Sequence, residues 1–206
     1  MNELHSLYAF LLALVALATA VNANARDGSA HEVRLGDVQF EVACNTEAQT
    51  EFNRAMAYYH SFQWQRAVET ADRVLDADST CGMAHWLQAL AMLDNPFVWP
   101  LTMSAKVVNE GSTLLDSARK AGLKTQRERD YVDTLERFLE GLDTKNARQK
   151  TEHFTVSLGQ LAKRYPNDSE ATVLYALFLS ANFEPTDKTY RNQLHAAQLL
   201  EPIFVQ

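Results

Sequence analysis

Cys81 and His85 stand four residues apart in "ADSTCGMAHW" (77–86), the spacing that puts two metal ligands on one helical face. A metal centre there needs one or two further donors, and His60 is the nearest candidate by helix order. The chain has one other cysteine, Cys44. Cys44 precedes the first expected helix and Cys81 opens the third, so an antiparallel hairpin between them brings both back to the same end. A Cys44–Cys81 disulfide is the expectation; it closes a loop of about 38 residues and stabilises by roughly 3 to 4 kcal/mol in the chain-entropy model. Free thiols, and a metal role for Cys81, stand as the alternatives.

His60, Trp64, His85 and Trp86 also read in two ways. They line an aromatic groove that receives a peptide or small ligand. Alternatively, the two tryptophans fill hairpin joints and His60 satisfies carbonyls at a helix end, which is the preferred reading. Glu128, Asp130, Asp133 and Glu136 recur at the spacing of a general acid–base pair, but Arg127, Arg129 and Arg137 are interleaved with them. That mixture reads as a solvated face with local ion pairs. The chain contains no G-x-S-x-G, H-E-x-x-H, P-loop or G-x-G-x-x-G motif, so the reading is a non-enzymatic protein without a cofactor.

Two loops carry surface chemistry. In "NPFVWP" (95–100), Phe97, Val98 and Trp99 either fold back on the hairpin or offer an aromatic contact to a partner. "EPTDKTY" (184–190) is either a binding loop or a helix start capped by Asp187.

The elements that must position these residues are helical. Hydrophobic residues make up 47% of the 206 positions, with only seven glycines and five prolines, a composition that favours helices over disorder. The formal charge of −7 and pI near 5.3, without a Lys/Arg run longer than two, lack the footprint of nucleic-acid binding. The same balance argues against an anionic membrane surface. "LYAFLLALVALATA" is an apolar run of 14 residues followed by small-x-small sites, which fits a secretory signal over residues 1–25. Its n-region lacks Lys and Arg and carries Glu3, so an uncleaved anchor is the alternative. With the signal removed the charge is −6 and no membrane-spanning run is left. Two cysteines in an exported protein again point to a disulfide.

Residues 26–43 form a lead-in, in which Val38, Phe40 and Val42 alternate with polar residues and predict a short extended segment or hairpin leaning on the first helix. Residues 44–206 have helical period. "TEAQ" predicts a capping box at Thr46 and Gln49, with Ala48, Phe52, Ala55, Met56 and Tyr59 inward. Further helices are predicted over 63–76, 82–93, 102–121, 125–142, from after "DTKNA" to 164, 169–181 and from 189 onward. A second capping box pairs Thr125 with Glu128.

Ala55, Tyr58, Ala67, Ala71, Val74 and Ser79 fall on positions 8, 11, 20, 24, 27 and 32 of a 34-residue unit, and Ala89 takes position 8 of the next. Phe154, Leu158, Leu161 and Pro166 occupy positions 20, 24, 27 and 32 of a later unit, followed by Ala176 at 8. With "CNTEAQTEFNRAMAYYHSFQWQRAVETADRVLDADSTCGMAHW" (44–86) and "RYPNDSEATVLYAL" (164–177), the chain from about residue 38 onward resembles a group of exported bacterial tetratricopeptide repeat proteins. Ser79 replaces the usual proline, and two of four hairpins lose the 34-residue register.

The resemblance implies an all-α, right-handed superhelix of about four hairpins that binds an unknown protein or peptide through its concave face, exported to the periplasm or outside the cell. Candidate contacts are Arg54, Tyr58, His85, Gln88, Phe97, Trp99, Arg137 and Tyr175. The other function considered is metal or small-ligand binding by His60, Cys81 and His85. The apolar ending "LLEPIFVQ" predicts a final helix that exposes Leu200, Ile203 and Phe204, to be covered by a partner or by further repeats.

Overall fold

Extended backbone enters the first helix at Asn45, whose side-chain oxygen accepts the Ala48 amide and starts α1 (Thr46–His60). The expected cap at Thr46 is thereby corrected by one residue. Gln49, the other half of that expected box, turns away to bond residues 40 and 42, which leaves Asn45 to cap. The computed structural model describes residues 35–99, 103–143 and 145–204. The expected signal, and the lead-in up to residue 34, lie outside the described residues.

Seven more helices follow: α2 (Trp64–Ala77), α3 (Gly82–Met92), α4 (Ala105–Ala121), α5 (Gln126–Leu139), α6 (Ala147–Arg164), α7 (Ser169–Ala181) and α8 (Arg191–Phe204). A 3-10 turn at Pro96–Val98 interrupts the α3–α4 connection. Among the described residues no strand occurs, and the all-α helical-hairpin fold expected from the sequence is present. Each helix packs on the one before it, while α1 also touches α3 and α3 touches α5. The first members of successive pairs therefore share a side. None of the described helices is long and apolar enough to cross a membrane.

Small residues set how closely the helices approach. Ala55, Ala67, Ala71 and Ala89 are fully buried and Ala176 nearly so, at the positions where the repeat pattern calls for short side chains. Gly82 carries this furthest: a Cβ there would lie 2.4 Å from the Ala118 carbonyl oxygen and 2.5 Å from that of Gly122, so the end of α4 rests directly on the start of α3.

The disulfide is formed, with Cys44 and Cys81 Cα atoms 5.3 Å apart across a sequence separation of 37. Asp78 reinforces the joint by accepting the Asn45 amide at 3.0 Å and the Thr80 hydroxyl at 2.7 Å, while the Asn45 side-chain amide donates to the Ala77 carbonyl at 2.7 Å. The Thr80 and Asn45 hydrogen bonds hold the Asp78 carboxyl below the ordinary range.

One hydrophobic core runs from Phe40 to Phe178. The loop before α4 contributes Trp99, which stacks on Phe138 at 5.1 Å and meets Phe178 at 5.1 Å, its indole N–H donating to the Leu93 carbonyl at 2.7 Å. Trp99 thus folds back into the core, while Phe97 stays exposed. The last helix is thinly packed: Ala196 is its buried residue, Leu200 and Phe204 are exposed as expected, and Ile203 is half-buried.

Candidate functional site

The extended segment 38–43, hereafter the strap, lies on the side shared by the first helices. Phe40 is completely buried and Val42 nearly so, whereas Gln39 and Glu41 point outward, the alternation that the sequence predicts. The Phe40 ring meets Phe52 of α1 at 5.2 Å, Trp86 of α3 at 5.6 Å and Tyr131 of α5 at 5.0 Å. Three successive first helices thus each give one aromatic wall to a socket for Phe40.

The strap backbone is held by side chains. The Phe40 amide donates to Asn53 Oδ1 at 3.1 Å and the Val42 amide to Gln49 Oε1 at 2.8 Å; Gln49 Nε2 donates to the Phe40 carbonyl at 2.8 Å. From α5, Glu128 accepts the Ala43 amide at 2.8 Å and Arg127 donates to the Glu41 carbonyl at 2.6 Å. The Arg127 guanidinium carbon also sits 4.4 Å from the centre of the Phe40 ring and 4.9 Å from that of Tyr131.

Arg127 belongs to a reciprocal clamp between α5 and the α6–α7 turn. Its Nε donates to Asp168 at 2.6 Å, and the Tyr131 hydroxyl donates to the same carboxylate oxygen at 2.7 Å. In return Asp130 accepts Arg164 at 2.8 Å and the Tyr165 hydroxyl at 2.6 Å. Burial alone would raise the Asp130 carboxyl, but the bonds from Tyr165, Arg164 and Gln126 outweigh it and hold it below the ordinary range. Burial works against the Arg127 charge in the same way, and the Asp168 bond overcomes it, so this guanidinium stays protonated. Burial, with the Asp168 charge behind it, pushes the Tyr131 phenol well up, keeping it a neutral donor.

This corrects the expectation of a solvated acidic face for the first half of α5, while Asp133 and Glu136 stay partly exposed in ion pairs. Glu128 and Asp130 are buried, at 3% and 8% exposure, and besides Thr125 and Gln126 at the start of α5 they take partners from other elements, Ala43 for Glu128 and Arg164 and Tyr165 for Asp130. Asp133 and Glu136 pair with Arg119 of α4 rather than with arginines of their own helix. The cause is that α5 is packed between α4 and α6 and against α3, so little of its surface is free for local pairs.

Beside the strap an open groove of about 880 Å³ continues toward the start of α7, lined by Gln39, Glu41, Gln49 and Asn53 on one flank and by Arg164, Tyr165, Asn167 and Ser169 on the other. His60 does not cap its own helix as expected. Its Nε2 lies 2.7 Å from Glu170 of α7, because the first turn of α7 comes to the end of α1.

The other expected site residues scatter. His85 bonds Gln88 at 2.9 Å, and Gln88, itself buried, donates to Asp72 at 2.7 Å. Tyr58 lies under the Arg66 guanidinium at 5.7 Å, and Tyr175 is edge-on to His195 over Gly159. Arg54 and Arg137 are exposed on α1 and α5. Cys81 is committed to Cys44, and no group of three His, Cys, Asp or Glu suited to a metal ion occurs among the described residues. Of the aromatic set His60, Trp64, His85 and Trp86, only Trp86 contributes to the socket. Asp187 caps the last connection by accepting the Thr189 amide and hydroxyl at 2.8 and 2.6 Å.

Comparison with protein-family models, with curated proteins and with solved structures finds no match to this chain.

Gln49, Asn53, Arg127 and Glu128 were not among the residues expected to bind. The signal for them lies in the alternation of residues 38–42: a lone extended segment beside helices leaves backbone groups unpaired, and polar side chains on the facing helices must satisfy them.

Proposed function

We propose that the chain is an exported, disulfide-pinned scaffold of tetratricopeptide-like hairpins that binds an extended peptide or partner segment along the face shared by its first helices, in a right-handed array. The observation that carries this reading is the strap. Side chains of α1 and α5 already hold an extended backbone there through its amides and carbonyls, and the groove beside it offers further donors and acceptors from Asn53, Arg164 and Asn167. The disulfide, and the apolar N-terminal run read as a signal, support export. The acidic charge favours a protein partner over nucleic acid.

The test is selection from a random peptide library displayed against the intact protein, followed by Kd measurements with Arg164→Ala and Asn167→Ala. Both residues are exposed on the groove's rim. Each change should weaken a selected peptide by roughly three- to tenfold, the worth of one hydrogen bond. Selected peptides that bind both variants as well as the parent would refute the site.

A further inference from the structure

Resting on the peptide-binding reading above, we infer that the socket of Phe52, Trp86 and Tyr131 is a recognition site for an extended partner peptide bearing an aromatic side chain, and that the strap occupies it as an internal, displaceable ligand. Three observations lead there.

First, among the described residues the strap makes no backbone–backbone hydrogen bond. Its hold comes from two buried side chains and from side-chain hooks, which is how a bound peptide is held rather than how a sheet or helix is built. Those hooks address only backbone atoms of the strap, so they would serve any extended chain; selectivity falls on the socket, which takes a flat aromatic ring between three others and beneath Arg127.

Second, the strap ends at Cys44, and that residue is fixed to the array by the bond to Cys81. Residues before Cys44 can therefore leave the socket while the first hairpin keeps its tie. The disulfide separates release of the strap from unfolding of the helices.

Third, the open groove runs beside the occupied socket: Phe40, its backbone hooks Gln49 and Asn53, and Arg127, which covers the Phe40 ring, all line the groove. A partner lying in the groove meets the strap along residues 39–41 and can replace it stepwise. Wild-type affinity for such a partner is lowered by the fraction of time the strap is in place.

The probe is a fluorescein-labelled synthetic peptide with the sequence of residues 37–43, titrated into the full chain and followed by anisotropy. The Phe40→Ala protein should bind it at least about tenfold more tightly than the wild type does, and a peptide carrying alanine in place of its phenylalanine should not bind. A Phe40→Ala protein with native helicity and an intact disulfide that binds no better than the wild type would overturn the inference. Should that variant fail to fold, hydrogen exchange on the wild-type chain decides. Amides of Phe40, Val42 and Ala43 that exchange well before those of α1 and α3 support a displaceable strap, and equal protection overturns it. Failure here leaves library-selected peptides free to bind the open groove, so it is distinguishable from failure of the proposed function.

Discussion

Glu128 ties the start of its own helix to a residue 85 positions earlier: one carboxylate oxygen accepts the Thr125 amide at 2.9 Å, and the other accepts the Ala43 amide at 2.8 Å. A capping residue of α5 is thus also an anchor of the strap. Glu128→Ala removes a cap worth about 1 kcal/mol and leaves a part-buried amide unpaired, which adds roughly 1 to 2 kcal/mol. Thr125→Ala removes only the cap. Urea denaturation should rank the two, with Glu128→Ala the more destabilised; equal losses would mean that the Ala43 bond contributes nothing.

Reduction of Cys44–Cys81 should cost about 4 kcal/mol, the chain-entropy value for a loop of this length. Denaturation midpoints with and without dithiothreitol measure it, and the Cys44→Ser/Cys81→Ser protein should match the reduced wild type. Asp78 and Asn45 still hold the joint in that variant, so native helicity should survive at room temperature.

Asp130 predicts an acid-sensitive contribution. Its folded pKa lies below the ordinary 3.8, so the folded state favours the charged form. The stability it supplies is complete above that ordinary value and drains away as pH falls through the lower folded one. Asp130→Asn should therefore be less stable than wild type at pH 7, and the gap should narrow below about pH 4. A gap that stays constant down to pH 2.5 would show that the charge on Asp130 is immaterial.

The two aromatic residues of "NPFVWP" should part company on substitution. Trp99→Ala empties a position among Phe138, Phe154 and Phe178 and should cost about 3 to 5 kcal/mol. Phe97→Ala changes an exposed ring and should stay within about 0.5 kcal/mol. Thermal melts of the two proteins make the comparison.

Gly82→Ala should be the most damaging single methyl group, since its Cβ meets two backbone carbonyls that cannot swing aside. A loss of about 2 to 3 kcal/mol is expected by denaturant titration. Gly159→Ala meets only the Tyr175 ring at 3.0 Å and should cost less.

The helices were legible because their signals are local. Thr125 and Glu128, and the buried alanines at 55, 67, 71 and 89, mark a cap and close crossings within a few residues of where they act. The disulfide followed from hairpin topology and two cysteines. What sequence reading could not supply was partnership at long range. Asp130 and Arg164 are 34 residues apart, Arg127 and Asp168 are 41 apart, and on α5 the same acidic and basic residues suit a solvated face equally well. Alternation in the strap showed that Phe40 points inward, but not that the inside is made by three separate helices. The Asn45 cap was missed for the same reason, since only the strap's demand on Gln49 decides between Asn45 and Thr46.

Whether the shared face of the first helices binds extended chains is tested most directly by the amide footprint of a library-selected peptide on the isotope-labelled protein. The account predicts that the perturbed amides cluster at Gln49–Asn53, at Arg127 and over Tyr165–Ser169, along the groove. A footprint confined to α2, α4 or the exposed side of α8 would contradict it.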